Sequence, residues 1–169
     1  WSYKLPSFLF ALLAIFSTFK LARLYYDEDT SILAALILAT CQAFFLITND
    51  CRTDTMLAGS VIFAIAHLAA YLKTGGVLNF IFGFIGVGLG LLSKGPIGLV
   101  VPVFALGIDV LAKRNFSAIF KWQWIPGLMI TGVVLMPMCI GLYQQYGFKG
   151  LEFYFWTQSF GRITGESQW

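Results

Sequence analysis

Charge is the scarcest commodity in this sequence. Only 11% of its 169 residues are charged, less than half of the roughly 25% usual for a soluble domain. A water-exposed surface of ordinary size cannot be covered with so few charges, and the mean hydropathy of +0.80 agrees. Cysteine is also sparse. Cys41 and Cys139 fall in apolar stretches and Cys51 in a short connection, with no C-x-x-C and no histidine close by, so neither a disulfide framework nor a zinc site is expected. The net charge is only +3, and no basic run is long enough for a nucleic-acid footprint, so nucleic acid is excluded as a partner. Internal repeats, low-complexity tracts and strongly alternating strand-like segments are missing too. A transmembrane barrel would need alternating segments of about 10 residues, whereas "ILAALILAT" and "VIFAIAHLAAYL" are apolar all round.

What is abundant is hydrophobic residues, at 59%. Residues 5–24, 31–49, 54–72, 77–93, 95–112 and 122–143 are each mostly apolar and about 17 to 22 residues long, near the roughly 20 that cross a bilayer as a helix. The expectation is an all-α membrane protein, a polytopic transmembrane helix bundle of about six spans forming a single domain over residues 1–169. Residues 146–169 are expected to form an extracytoplasmic interfacial loop. The chain opens on Trp1 with no charged leader or cleavage site before the first span, so no signal peptide is expected. It is expected to be an excerpt of a longer protein.

The connections "YYDEDTS", "NDCRT", "KTGG", "SKGP" and "KRNFSAIFK" are short, which makes neighbouring helices antiparallel. Counting lysine and arginine barely orients the bundle, but paired Lys113 and Arg114 after an apolar span suit a cytoplasmic connection. With six spans, Arg52, Asp54, Lys94, Lys149 and Arg162 then share the other, external face.

From Val77 to Ile108 the only charged residue is Lys94. As one helix this run would be about 48 Å long against a hydrocarbon core of roughly 30 Å. It must therefore fold back on itself. Gly95 suits a helix end and Pro96 the first turn of the next helix, so "SKGP" is the expected turn. Lys94 there is either a snorkelling lysine that complements a helix C-terminus or an ammonium held at headgroup depth to meet a lipid phosphate.

Similar pairs of readings apply elsewhere. In "NDCRTDTML", Thr53 or Asp54 can cap the following helix and Arg52 can pair with an aspartate; alternatively Arg52 meets a phosphate and Asp54 a sugar hydroxyl or Lys94. His67 lies mid-span on nearly the opposite helix face from Asp54, which suits a satisfied core histidine. "DED" at 27–29 belongs to the opposite face from Lys94 and suits a solvated turn. The tail "GLEFYFWTQSFGRITGESQW" is amphipathic and aromatic-rich, either an interface anchor or the wall of a site for an anionic lipid.

The order of these motifs resembles the polytopic glycosyltransferases of the protein O-mannosyltransferase and lipid A aminoarabinose transferase type, whose fold is called GT-C. The matching pieces are "YKLPSFLFALLAIF" for an R-L-P-S span opening, "LAALILAT" followed by "RTD" for an A-R-x-D loop, "LLSKGPIGLVVP" for a K-G-P turn, and "FYFWTQSFGRITG" for an aromatic stretch ending in R-F/I-T-G. The resemblance implies a partial GT-C fold and an enzyme that moves a sugar from a polyprenyl-phosphate carrier to a protein or lipid acceptor at the extracytoplasmic face. It also implies multi-pass residence in a membrane, the bacterial inner membrane by expectation, with membrane lipid and the sugar donor as partners. No cofactor and no metal ligand are identified. Residue by residue, Lys94, Arg162 and Arg52 would hold the carrier phosphate and Asp54 would line the same cavity. Asp54 is a weak candidate for chemistry, because the family's acidic base lies in a loop upstream of the "LPS" span and is expected outside this sequence. Two departures stand out: Lys4 replaces the arginine before "LPS", and "TQSFGR" lacks the acidic residue that often precedes the terminal arginine. A structural subunit of a membrane assembly would need none of these clustered charges. A transporter would place ionisable or helix-breaking residues near the midplane in matching halves, and here only His67 is titratable at depth.

Overall fold

A computed structural model of the chain describes residues 4–49, 53–114 and 124–157, and every element among them is helical. The order is α1 (Leu5–Tyr25), α2 (Glu28–Thr40), α3 (Gln42–Asn49), α4 (Thr53–Thr74), α5 (Val77–Lys94), α6 (Ile97–Ala112), α7 (Trp124–Tyr146) and α8 (Phe148–Glu152), followed by a π-helical turn (Phe153–Thr157). The protein is an all-α membrane helix bundle. By length and composition α1, α4, α5 and α7 can each cross a bilayer, while α6 is apolar but shorter at 16 residues.

Local chemistry accounts for the element boundaries. Pro6 occupies the first turn of α1, where its missing N–H costs nothing and its fixed φ favours the helix. The stretch 31–49 is divided between α2 and α3, with Cys41 in an extended conformation between them. The Thr40 hydroxyl there donates to the carbonyls of Leu36 and Ile37 at 2.8 and 3.4 Å, and such back-bonding competes with the helix ladder and bends it. At the end of α5, Gly95 takes φ 68° and its N–H reaches Leu91 O at 2.8 Å. A side chain would be strained at that φ. Pro96 then opens α6 with φ −54°, so the long apolar run turns back at "SKGP". The expected interfacial stretch after residue 146 continues as α8 and the π-helical turn through Thr157.

Helix direction follows from contacts at known positions along each element. Gly59 of α4 lies against Phe10 of α1, His67 against Lys20, and the Lys73 ammonium donates to Leu24 O. α1 and α4 are therefore parallel. Between them α2 and α3 run back along α1, with Phe44 packed against Ala11 and Ala14. α5 is antiparallel to α4, and α7 runs parallel to α5, since Gly127 meets Phe84 and Val134 meets Gly88.

The bundle thus has two ends. One carries the start of α4, the end of α5, the start of α6 and the end of α7; the other carries Tyr25, Thr74, Val77 and Ala112. The core lies where α4 and α5 meet, built on Ala64, Leu68, Phe80, Phe84, Val87 and Leu91. A chain of rings, Tyr71, Phe80, Phe84 and Trp124, links α4, α5 and α7 at centroid spacings of 5.0, 4.8 and 5.9 Å. Small residues allow these backbones to approach: a Cβ at Gly86 would lie 3.0 Å from Ala64 Cα, and one at Gly98 only 2.2 Å from the Gly90 carbonyl carbon. Outward faces such as Met129, Val133, Met136 and Ile140 of α7 are exposed and apolar, as a hydrocarbon solvent requires.

Candidate functional site

The antiparallel pairing of α4 and α5 brings the first turn of one helix beside the last turn of the other. Asp54 lies in that first turn and Lys94 in that last turn, so each charge also complements its own helix dipole. The Lys94 ammonium donates to Asp54 Oδ1. Their side chains are 38% and 34% exposed, and an ion pair that wet contributes at most about 1 kcal/mol to folding. Its value is positional: it aims a lysine that would otherwise swing freely in the interface.

A third group closes on the same turn. Tyr154, in the π-helical turn, donates its hydroxyl to Leu91 O at 2.8 Å and Leu92 O at 2.9 Å. These are carbonyls of the last turn of α5, the kind a helix end leaves without full intrahelical partners. Burial pushes the Tyr154 phenol above its ordinary range, against a smaller opposing effect of the Gly95 backbone, so the hydroxyl remains a neutral donor. Nothing in the sequence set Tyr154 apart from the aromatic residues around it. Its only signal was being the one hydroxyl-bearing ring in "FYFW".

Of the residues anticipated from sequence, the structure joins Asp54 and Lys94. Arg52 and Arg162 lie outside the described residues. Lys149 is exposed on α8, which follows directly from α7 at the Lys94 end. An open apolar cleft of about 430 Å³ runs along this segment, lined by Phe148, Leu151, Glu152 and Trp156.

Several other ionisable groups are engaged elsewhere. His67 is buried, its Nδ1 lying 3.1 Å from Phe63 O and its Nε2 3.1 Å from Lys20 Nζ. With Nδ1–H donating to the carbonyl, Nε2 accepts from the ammonium. Glu28 pairs with Arg23 and Asp109 with Lys113 toward the opposite end, where Lys73 and Lys113 also lie over the Tyr25 ring. Among the described residues no group of three or more His, Cys, Asp or Glu side chains could hold a metal ion.

Chemically, the Lys94 turn offers one ammonium for an anion and, beside it, a carboxylate able to accept from hydroxyls. A family model described as dolichyl-phosphate-mannose-protein mannosyltransferase matches residues 1–140. No solved structure matches the chain.

Proposed function

Since the chain belongs to the dolichyl-phosphate-mannose-protein mannosyltransferase family, we propose that the Lys94 turn is where a membrane glycosyltransferase receives the phosphate of its lipid-linked sugar. The donor in this reading is a polyprenyl-phosphate sugar and the acceptor a protein or lipid at the extracytoplasmic face of the bacterial inner membrane. Six passes put Arg52, Asp54, Lys94, Lys149 and Arg162 on that face, and the segment from residue 146 to 169 lies in the interface.

Transfer breaks the bond between the sugar's anomeric carbon and the phosphate oxygen, and negative charge grows on the departing phosphate. Lys94, with Arg52 and Arg162, stabilises that charge. A cation fixed in advance does so without reorganisation, and one such donor is worth a factor of about 10² to 10³ in rate. Asp54 holds the ammonium in place before the carrier arrives and accepts from sugar hydroxyls afterwards.

The observation that supports this reading is the Lys94–Asp54 pair itself: two opposite charges, both partly exposed, at the hairpin end of a largely apolar bundle. The test is transfer from a polyprenyl-phosphate sugar by the full-length protein in a defined bilayer. Lys94→Ala and Arg162→Ala should each lower the rate by about 10² or more at normal expression. Wild-type rates in both would sink the phosphate assignment.

A further inference from the structure

Tyr154 and Lys94 are sixty positions apart in sequence, and the phenol hydroxyl nevertheless meets the carbonyls two and three residues before the lysine. The contact is directional. Leu91 O already accepts the Gly95 N–H at 2.8 Å, so the added donor chiefly serves Leu92 O, which this turn would otherwise leave to solvent or lipid. Removing the hydroxyl would leave a polar group wanting in a low-dielectric setting. Phe148 and Phe153, by contrast, are more than half exposed. Tyr154 thus ties this segment to α5 through a polar group, with the half-buried Phe155 edge-on against its ring at 5.2 Å.

We propose that Tyr154 is a positioning residue for Lys94, its hydroxyl pinning the last turn of α5 to the interfacial segment of α8 and the π-helical turn. This rests on the reading of Lys94 as the phosphate-binding cation. Asp54 restrains the lysine from its tip, and Tyr154 restrains it from its backbone. The two act from different elements, so the ammonium is held only when α4, α5 and the interfacial segment are all docked. π-Helical turns recur at functional sites, and here the turn is the element that presents the phenol.

The experiment is a double-mutant cycle in the full-length protein, read as the rate of transfer from a polyprenyl-phosphate sugar per folded enzyme. Tyr154→Phe keeps the ring and deletes only the hydroxyl. It should lower kcat about three- to tenfold, the worth of one hydrogen bond, with KM for the donor little changed. In the Lys94→Ala background the same substitution should cost almost nothing, because the group it positions is gone. An equal loss in both backgrounds would overturn the inference and make Tyr154 merely structural. An inert Lys94→Ala would instead sink the phosphate reading, a distinguishable failure. Hydrogen exchange supplies a readout independent of catalysis: in Tyr154→Phe the amides of Gly95, Ile97 and Gly98 should exchange faster, and unchanged exchange there would also overturn the proposal.

Discussion

Asp54 and Lys94 stand forty positions apart and meet as an ion pair because α4 and α5 pack antiparallel. Each lies where its own helix dipole favours its sign, so the pair is set by two local preferences and one tertiary arrangement. Its partial exposure separates stability from function. Asp54→Asn should cost less than about 1 kcal/mol in thermal unfolding yet slow transfer by loosening the lysine. The swap of Asp54→Lys with Lys94→Asp is the sharper test. It restores opposite charges but not the cation at the end of α5, so the protein should fold and transfer should stay down by about 10². Near-normal transfer in the swapped protein would mean the pair serves the fold alone.

The hairpin that carries Lys94 depends on close backbone approach. A Cβ at Gly98 would lie 2.2 Å from the Gly90 carbonyl carbon and 2.5 Å from Leu91 N, whereas Gly107 in the same helix has nothing within 4 Å. Gly98→Ala should destabilise by about 1–3 kcal/mol through overpacking. Gly107→Ala should be neutral or stabilise by up to about 1 kcal/mol through helix propensity. Thermal unfolding in one detergent compares the two directly, and similar melting temperatures would contradict the α5–α6 contact.

His67 is the buried ionisable group that a transport reading would use. Its ring nitrogens are occupied by Phe63 O and Lys20, and His67→Leu keeps the volume while Lys20 can snorkel toward the Tyr25 end. Transfer should stay within about threefold of wild type, under 1 kcal/mol of barrier. A loss as large as that of Lys94→Ala would move essential chemistry into the bundle interior.

The phenol of Tyr154 gives a prediction in pH. Its pKa is raised by burial, so the docked state binds the proton more tightly than the undocked one. The stabilisation is complete below the ordinary phenol value of about 10 and is lost as pH rises through the raised value. An ultraviolet difference titration of wild type against Tyr154→Phe should show one phenol with its midpoint above 10. A midpoint at or below 10 would contradict its burial against α5.

Sidedness is checked by accessibility. Single cysteines at positions 97 and 148 should label from one side of the membrane and those at 28 and 78 from the other. Labelling of 97 and 78 from the same side would break the α4–α5 hairpin as a transmembrane unit.

Composition alone determined that this chain lives in a bilayer, because 59% hydrophobic against 11% charged residues leaves no other solvent for the surface. Sequence also located the turn at Gly95 and Pro96, since an apolar run too long for one crossing must fold back where a glycine can take positive φ and a proline can start a helix. It singled out Lys94 as the charge worth explaining, and offered Asp54 either a sugar hydroxyl or Lys94 as its partner. The tertiary structure brought Asp54 and Lys94 together, because a contact forty residues apart depends on which helices pack and in which direction. The same holds for the division at Cys41, where side-chain hydrogen bonding competes with the helix inside an apolar run that reads as continuous. It holds most of all for Tyr154. An aromatic tail has the same pattern whether its rings all face lipid or one of them turns inward, and only packing chooses which hydroxyl reaches the carbonyls of α5.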